Sequence, residues 1–292
     1  MRTLSAACVL ILTIAWAGGV RAQSTDPVLV GAGDVVQCSR GEFQNSQATA
    51  NLLDSISGTV FVVGDLVYPD SSGNYFAKCW APTWGRFRNR MIPTVGNHGY
   101  NAPGAPEYYS YFGPKAGDPQ KGYYSFNLGA WHVVVLNAEC SGIGGCGATS
   151  PEGTWLQSDL AANPAVCTLA LWHEPLYTSE TGLASTSVRP FWQILYNAGA
   201  DLVVNGHAHN YERFAAQDPS GNLDLTHGIR EIIAGTGGEY TSCSGSAITN
   251  SEMRICNANG VLKLTLHASS YDWQFIPIAG QTATDSGTTS CH

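Results

Sequence analysis

Several short apolar runs, rich in β-branched residues, end abruptly at a polar side chain. Three of these runs, each with the polar residue that follows it, are 28–30 with Asp34, 60–63 with Asp65, and 202–204 with Asn205. Short continuous apolar runs are typical of strands that are buried on both faces, as in parallel sheets. The pattern therefore predicts a buried, partly parallel sheet with polar side chains at its strand ends.

Stretches with helix signals separate these runs. They cover residues 44–56, 151–162 and 188–198. Ser150 and Pro151 supply an N-cap and a first-turn proline to the second stretch. Strands that alternate with helices predict an α/β fold built of stacked layers.

The C-terminal part of the chain has mainly strand patterns. Residues 123–127 and 131–136 flank a turn that contains Gly129, which predicts a β-hairpin. After Gly228 the helix signals weaken. Further strands are predicted at 229–234, 261–267 and 272–276, with Pro277 ending the last of them. This order favours two sheets packed face to face with helices outside.

The N-terminus has the features of an export signal. Arg2 precedes an apolar run at 6–20, and the small-x-small sequence at 20–22 predicts cleavage between Ala22 and Gln23. A membrane anchor is the alternative, but the run is shorter than the roughly 20 apolar residues that a spanning helix needs. We therefore expect a secreted or periplasmic protein without membrane association.

The rest of the chain is expected to form one domain. Residues 1–22 are assigned to the signal peptide and residues 23–292 to a single catalytic domain, because no linker-like segment or repeat interrupts the second range. A chain of this length can bury one large core in a layered sheet fold.

The charge balance limits the class of partner. The full chain carries 14 basic and 22 acidic residues, a formal net charge of -8, without a run of Lys or Arg. Such a surface repels the phosphates of duplex nucleic acid, which we exclude as a partner. A small phosphorylated substrate would have to be held by a local cation, such as a metal ion.

The cysteines suggest disulfide bonds. An even number of cysteines, eight, remains once the signal with Cys8 is removed from the nine of the full chain. No C-x-x-C pair occurs, which argues against a zinc ribbon. The short separations of Cys140 from Cys146 and of Cys243 from Cys256 make local loops plausible, although spacing alone does not fix the pairing.

Five strand exits carry side chains that could bind a metal. In order they are Gly33-Asp34, Gly64-Asp65-Leu66-Val67-Tyr68, Gly96-Asn97-His98, Trp172-His173 and Gly206-His207-Ala208-His209. Oxygen and imidazole ligands without thiolates suit iron, zinc or manganese. Any single exit is usually a turn former or a packed histidine, but five in order predict a metal site. The histidines outside the pattern are interpreted as packed or surface residues: His132, His227, His267 and His292.

This ordered set resembles the five-block signature of the calcineurin-like metallophosphoesterases, a family with a four-layer αββα sandwich of two mixed sheets and a dinuclear metal centre. Most members carry a histidine two residues after the first aspartate, where this chain has Val36. Together with the Gly-Asp-x-x-Tyr block ending at Tyr68, this departure is similar to the purple acid phosphatases, in particular to small bacterial ones. The resemblance implies a first metal at Asp34, Tyr68 and His209, a second at Asn97, His173 and His207, and Asp65 bridging both.

The same resemblance implies an activity. The protein would be a secreted phosphomonoesterase of the acid phosphatase type, in which a metal-activated hydroxide attacks small phosphorylated substrates and His98 protonates the leaving oxygen. A phenol with a reference pKa near 10 needs a strong Lewis acid to bind as phenolate, which favours Fe(III) beside Tyr68. The other ion would be divalent iron, zinc or manganese.

Two further departures leave alternatives open. The third block continues with Gly99 where an acidic residue is usual, and residues 174–187 lack the histidines that help many relatives to hold phosphate. A phosphodiesterase acting on cyclic nucleotides or other diesters remains possible, as does a catalytically weak extracellular binder of phosphate or metal. Glu174 and Glu180 could be surface residues or could repel a dianionic phosphate.

Overall fold

The computed structural model describes residues 26–40, 43–70 and 73–292, so the predicted signal peptide and its cleavage site lie outside the described residues. The strands in this part of the chain are β1 (Val28–Ala32), β2 (Val36–Gln37), β3 (Thr59–Val63), β4 (Val67–Tyr68), β5 (Met91–Thr94), β6 (Tyr124–Leu128), β7 (Trp131–Val135), β8 (Cys167–Leu171), β9 (Leu202–Asn205), β10 (Tyr211–Phe214), β11 (Arg230–Ala234), β12 (Ser251–Ile255), β13 (Gly260–Leu266), β14 (Ser270–Pro277) and β15 (Asp285–Ser290). The helices are α1 (Gln44–Ser55), α2 (Gly73–Tyr75), α3 (Pro106–Phe112), α4 (Pro151–Ala162) and α5 (Arg189–Asn197).

Two mixed sheets contain most of these strands. The first has the order β15-β14-β13-β1-β3-β5, and its β1, β3 and β5 run parallel. The second has the order β12-β10-β11-β9-β8-β7-β6, with β7, β8, β9 and β11 parallel and antiparallel strands at both edges. A separate two-stranded ribbon joins β2 to β4. The prediction of partly parallel, mixed sheets is confirmed.

The two sheets stack between two layers of helices. Alternate residues of β1 point to opposite sides: Leu29 packs in the core between the sheets, whereas Val30 packs in the core under α1. In the second sheet, Val133 lies in the core between the sheets and Val134 lies in the core under α4 and α5. Both faces of the central strands are therefore buried, which explains their continuous apolar runs. The result is the expected four-layer αββα sandwich.

The local predictions agree with the structure to within a residue or two. Helices α1, α4 and α5 match the three predicted stretches, and the Ser150 hydroxyl accepts a hydrogen bond from the Gly153 amide at 3.1 Å as an N-cap. The predicted hairpin is β6-β7, in which Leu128 pairs with Trp131 and Gly129 turns the chain with a φ of +63°.

Strands β10, β12 and β15 were not predicted. Strand β14 ends at Pro277 as expected, and the chain then returns as the polar edge strand β15. Its buried residue is Asp285, whose carboxylate accepts hydrogen bonds from Tyr211 at 2.8 Å and from Trp273 at 3.0 Å. A strand anchored by a polar contact leaves little hydrophobic pattern in the sequence.

All eight cysteines of the predicted mature chain are paired. The disulfides are Cys38–Cys79, Cys140–Cys146, Cys167–Cys291 and Cys243–Cys256. The expectation of disulfide bonding is confirmed, including the two short loops, and each of the other two bonds joins segments that are distant in the sequence. Among the described helices, none has the length and apolar character needed to cross a membrane.

Candidate metal centre

The carboxyl ends of five parallel strands meet at one edge of the sandwich. They are the ends of β1, β3 and β5 in the first sheet and of β8 and β9 in the second. Ligands commonly bind at this edge of α/β sheets. The structure brings together there all eight side chains that the sequence predicted: Asp34, Asp65, Tyr68, Asn97, His98, His173, His207 and His209.

One group of three side chains forms around Tyr68. Its phenol donates a hydrogen bond to Asp34 Oδ1 at 2.7 Å and lies 3.1 Å from His209 Nε2. The same imidazole nitrogen of His209 is 3.3 Å from Asp34 Oδ1. These residues are the three that the sequence assigned to one metal.

A second group forms around the side-chain oxygen of Asn97. This Oδ1 lies 3.1 Å from His173 Nε2 and 3.0 Å from His207 Nδ1. The other ring nitrogen of His173 lies 2.7 Å from the Val63 carbonyl oxygen. That contact places the Nδ1 proton on the carbonyl side and leaves Nε2 facing Asn97.

Asp65 contacts both groups. Its Oδ2 lies 3.2 Å from the Tyr68 hydroxyl oxygen and 3.1 Å from His173 Nε2, whereas Oδ1 accepts a hydrogen bond from the His98 backbone amide at 2.9 Å. Donor atoms of Asp65, His173 and His207 also lie within 4.8 Å of one another, close enough to share a metal ion. The carboxylate is thus placed as a bridging ligand would be.

The backbone around this centre is unusual. Asp34, Asp65 and His207 have left-handed conformations, with φ of +60°, +44° and +67°. Such residues cost free energy and persist where the surroundings fix them, often at functional sites. The preceding glycines allow close approach: a Cβ on Gly64 would overlap the His173 ring, and one on Gly96 would overlap the Asp65 carboxylate.

The charges in the centre are buried and depend on one another. Burial opposes ionisation of Asp34 and Asp65, yet the adjacent imidazoles hold the pKa of both carboxyl groups below the usual range. Burial, together with these two carboxylates, raises the pKa of the Tyr68 phenol well above its ordinary value. Among protein groups alone, Tyr68 is therefore neutral, and it would ionise only beside a strong cation.

The donor set fits a pair of metal ions. In the described part of the chain, the ion-pair partners of Asp34 and Asp65 are histidines, and neither carboxylate pairs with Lys or Arg. Buried carboxylates of this kind are normally compensated by a paired cation or a metal. Carboxylate, phenol, amide and imidazole donors without thiolate suit iron, zinc or manganese.

His98 is oriented by its surroundings. Its Nδ1 lies 2.6 Å from the Pro69 carbonyl oxygen, which also accepts a hydrogen bond from the Asn101 amide at 2.9 Å. The His98 ring packs on the Tyr68 ring with centroids 4.4 Å apart, and its Nε2 is 3.9 Å from Asp65 Oδ2. Since Nδ1 donates to the carbonyl, Nε2 is the nitrogen free to face a substrate. The roles of Pro69 and Asn101 were not predicted from the sequence.

The remaining histidines lie in other contacts, as expected. His132 lies 2.8 Å from Asp159, His267 lies between Asp26 and Asp272, and His292 lies 3.2 Å from Asp201. The ring of His227 neighbours that of His292 at the surface.

A pocket of about 280 Å³ opens beside the metal centre. It is lined by Asp65, Asn97, His98, Glu180, Leu183, His207, His209 and Ser242. Glu180 is only 8% exposed, so the structure excludes its assignment as a surface residue.

The segment before Glu180 is held by the buried carboxylate of Glu231. This carboxylate accepts hydrogen bonds from the backbone amides of Leu176 and Tyr177 at 3.1 and 3.2 Å. Sequence patterns gave no signal for this anchor.

Comparisons with known proteins identify the family of the chain. The sequence model of the family "Calcineurin-like phosphoesterase" matches residues 23–211, a span that contains all eight site residues. Purple acid phosphatase 15 of Arabidopsis thaliana is 30% identical over 149 residues, covering 44% of this chain and 27% of that protein. The purple acid phosphatase of Glycine max is 30% identical over 179 residues, covering 53% and 37%. The chain thus matches well under half the length of either relative.

Solved structures are similar in fold. A purple acid phosphatase from yellow lupin (Lupinus luteus) seeds superposes with a TM-score of 0.72 at 18% identity, over 92% of this chain and 54% of that one. GAP50, described as the anchor in the inner membrane complex of Plasmodium, superposes with a TM-score of 0.67 at 12% identity, over 92% and 90%. At these identities the likeness concerns the fold.

Proposed function

The chain belongs to the calcineurin-like phosphoesterase family, and on this basis we propose that it is a secreted, metal-dependent phosphomonoesterase of the purple acid phosphatase type. One observation carries the proposal: Tyr68 and Asn97 organise two groups of donor atoms, and the carboxylate of Asp65 contacts both. The similarity to purple acid phosphatases and the export-like N-terminus support the activity and the location.

The proposed metal ligands follow the two groups. Asp34, Tyr68 and His209 would hold Fe(III), since a phenolate prefers a strong Lewis acid. Asn97, His173 and His207 would hold a divalent iron, zinc or manganese ion. When bound, such ions would supply positive charge for the phosphoryl oxygens and lower the pKa of a water molecule, so that it loses a proton and attacks as hydroxide, with Asp65 as the ligand common to both groups.

The chain's own residues have distinct tasks in this proposal. Asp65 fixes the spacing of the two groups, because its two oxygens contact Tyr68, His173 and the His98 amide. The Pro69 carbonyl accepts the Nδ1 proton of His98, which leaves Nε2 as the nitrogen that would donate a proton to the leaving oxygen. No side chain of the site is required as a nucleophile.

The proposal is tested with the protein purified from the exported fraction of an expression host. Elemental analysis should find two metal ions per chain, with iron among them. An aryl phosphate monoester should be hydrolysed with a larger kcat/KM than the corresponding diester. A preference for the diester would instead identify a phosphodiesterase, and two bound metals without turnover of either ester would identify a metal or phosphate binder.

Replacing His98 with alanine is expected to leave both metals bound and to slow hydrolysis according to the leaving group. Proton donation contributes roughly 10² to 10⁴-fold, so alkyl phosphates should lose about that factor. p-Nitrophenyl phosphate should lose much less, because its leaving group is stable as an anion. Steady-state kinetics on a series of leaving groups checks this, with His227→Ala at the surface as the matched control. An equal loss along the whole series would remove His98 from the acid role.

A further inference from the structure

The pocket beside the metal centre combines small size with an unusual charge arrangement. From this we infer that the enzyme selects phosphomonoesters whose alcohol part is compact and carries no negative charge, and that Glu180 sets this preference by masking Arg254. The inference rests on the proposed function and names the substrate class for the same site.

The size of the pocket favours a small alcohol. Its volume of about 280 Å³ is slightly below the roughly 300–1,000 Å³ that pockets for drug-sized ligands occupy. Leu183 and Ser242 form part of the pocket wall. A nucleoside or another bulky group would extend beyond this wall into solvent.

The charge arrangement disfavours a second anion on the substrate. The lining residues include neither Lys nor Arg, and Glu180 contributes a carboxylate to the wall. Burial alone would raise the pKa of Glu180, but hydrogen bonds from Ser244 and Arg254 outweigh burial and lower it. The carboxylate is therefore ionised where the alcohol part of a substrate would lie.

Arg254 is the cation behind this wall, and both of its terminal nitrogens are already engaged. Its guanidinium pairs with Glu180 Oε1 and donates to the carbonyl oxygens of Ser244 at 2.7 Å and Gly245 at 3.1 Å. The side chain of Arg254 is 12% exposed. Glu180 thus lies between the guanidinium and the pocket and cancels its charge.

The other contacts of Glu180 keep it in this position. Its Oε1 also accepts from the Asn210 side chain at 2.8 Å, and its Oε2 accepts from the amide and the hydroxyl of Ser244 at 2.8 and 2.7 Å. The disulfide Cys243–Cys256 ties the same loop to the end of β12. An incoming anion would have to break several of these contacts to displace the carboxylate.

A carboxylate or second phosphate on the alcohol part would therefore meet the Glu180 carboxylate and no Lys or Arg among the lining residues. Desolvating a charge without such a partner is costly, and specificity commonly arises from such repulsion. A hydroxyl, an alkyl group or an ammonium group meets no such penalty. We expect kcat/KM to be higher for phosphomonoesters of cationic or neutral alcohols than for those of anionic alcohols.

Three substrates of matched size test this order: ethanolamine phosphate, propyl phosphate and phosphoglycolate. The metal-loaded wild-type enzyme should hydrolyse the first two with a kcat/KM at least about 10-fold above that for phosphoglycolate, a difference of about 1.4 kcal/mol. An equal or higher kcat/KM for phosphoglycolate would overturn the inference. Absence of hydrolysis of all three and of p-nitrophenyl phosphate would instead remove the proposed function, and this inference with it.

Two variants separate masking from a purely structural role. Glu180→Gln should unmask Arg254 and shrink the ratio of ethanolamine phosphate to phosphoglycolate turnover, whereas Arg254→Gln should leave Glu180 uncompensated and widen it. Structural damage lowers all rates together and leaves the ratio unchanged, so the ratio remains informative even in a weakened variant. Glu107→Gln, outside the pocket, changes the net charge by the same amount as Glu180→Gln and should leave the ratio as in the wild type. If Glu180→Gln and Arg254→Gln change the ratio of ethanolamine phosphate to phosphoglycolate turnover in the same direction, or not at all, Glu180 does not mask Arg254.

Discussion

Replacing Asp65 with asparagine is expected to abolish phosphoester hydrolysis and to lower the metal content of both sites. The carboxylate contacts the Tyr68 phenol on one side and His173 Nε2 on the other. A neutral amide of the same shape cannot supply the negative charge that two adjacent cations require. We expect kcat/KM to fall roughly 10⁴-fold or more, which corresponds to about 5.4 kcal/mol of transition-state stabilisation.

Elemental analysis and kinetics on the same preparation check this expectation. Asp159→Asn is a matched control, because Asp159 also accepts a hydrogen bond from a buried histidine, His132, at 2.8 Å, but lies outside the site. The control should keep two metals and wild-type turnover. An Asp65→Asn protein that loses turnover with both metals still bound would contradict the bridging assignment, because a bridging ligand serves binding as well as rate.

The convergence of these side chains could be predicted because it follows from topology. Asp34, Asp65 and Asn97 come directly after or close to the ends of parallel strands in one sheet, and His173 and His207 do so in the other. Parallel strands place their carboxyl ends at one edge, so residues far apart in sequence come together without any pairwise signal. The order of the exits along the chain therefore contained most of the information about the site.

The wall of the pocket could not be predicted, because it depends on contacts between distant loops. Glu180 contacts Arg254, which lies 74 residues later in the sequence, and Asn210, which lies 30 residues later. Nothing in the local sequence around Glu180 distinguishes it from an exposed glutamate. Strand β15 escaped prediction for a related reason, since Asp285 anchors it to residues of β10 and β14 through polar contacts. Hydrophobic periodicity in a sequence reports which faces of a strand or helix are apolar and buried. Polar contacts such as those of Asp285 do not affect this pattern.

Replacing Tyr68 with phenylalanine is expected to abolish the colour that distinguishes a purple acid phosphatase from the wider family. Iron(III) bound to a phenolate absorbs visible light by charge transfer from the ring to the metal, so the concentrated wild-type protein should be pink to violet. The variant lacks the oxygen that now donates to Asp34 at 2.7 Å, but it keeps the ring that packs on His98 with centroids 4.4 Å apart. The iron site should therefore lose its visible band and much of its affinity, while the fold changes only by the contribution of the metal.

Visible spectra together with iron content are the measurement, and Tyr211→Phe is the control. Tyr211 is also buried, and its phenol donates a hydrogen bond to Asp285 at 2.8 Å. It follows the predicted ligand His209 by two residues, but Asp285 is not a predicted ligand. Loss of that hydrogen bond to a charged group should cost about 1.5–3 kcal/mol of stability and leave the colour unchanged. If Tyr68 is only a packed aromatic residue, Tyr68→Phe should behave like this control. An iron-loaded wild type without a visible band, or a band that persists in Tyr68→Phe, would exclude the phenolate ligand and leave a calcineurin-like phosphoesterase with a different first metal.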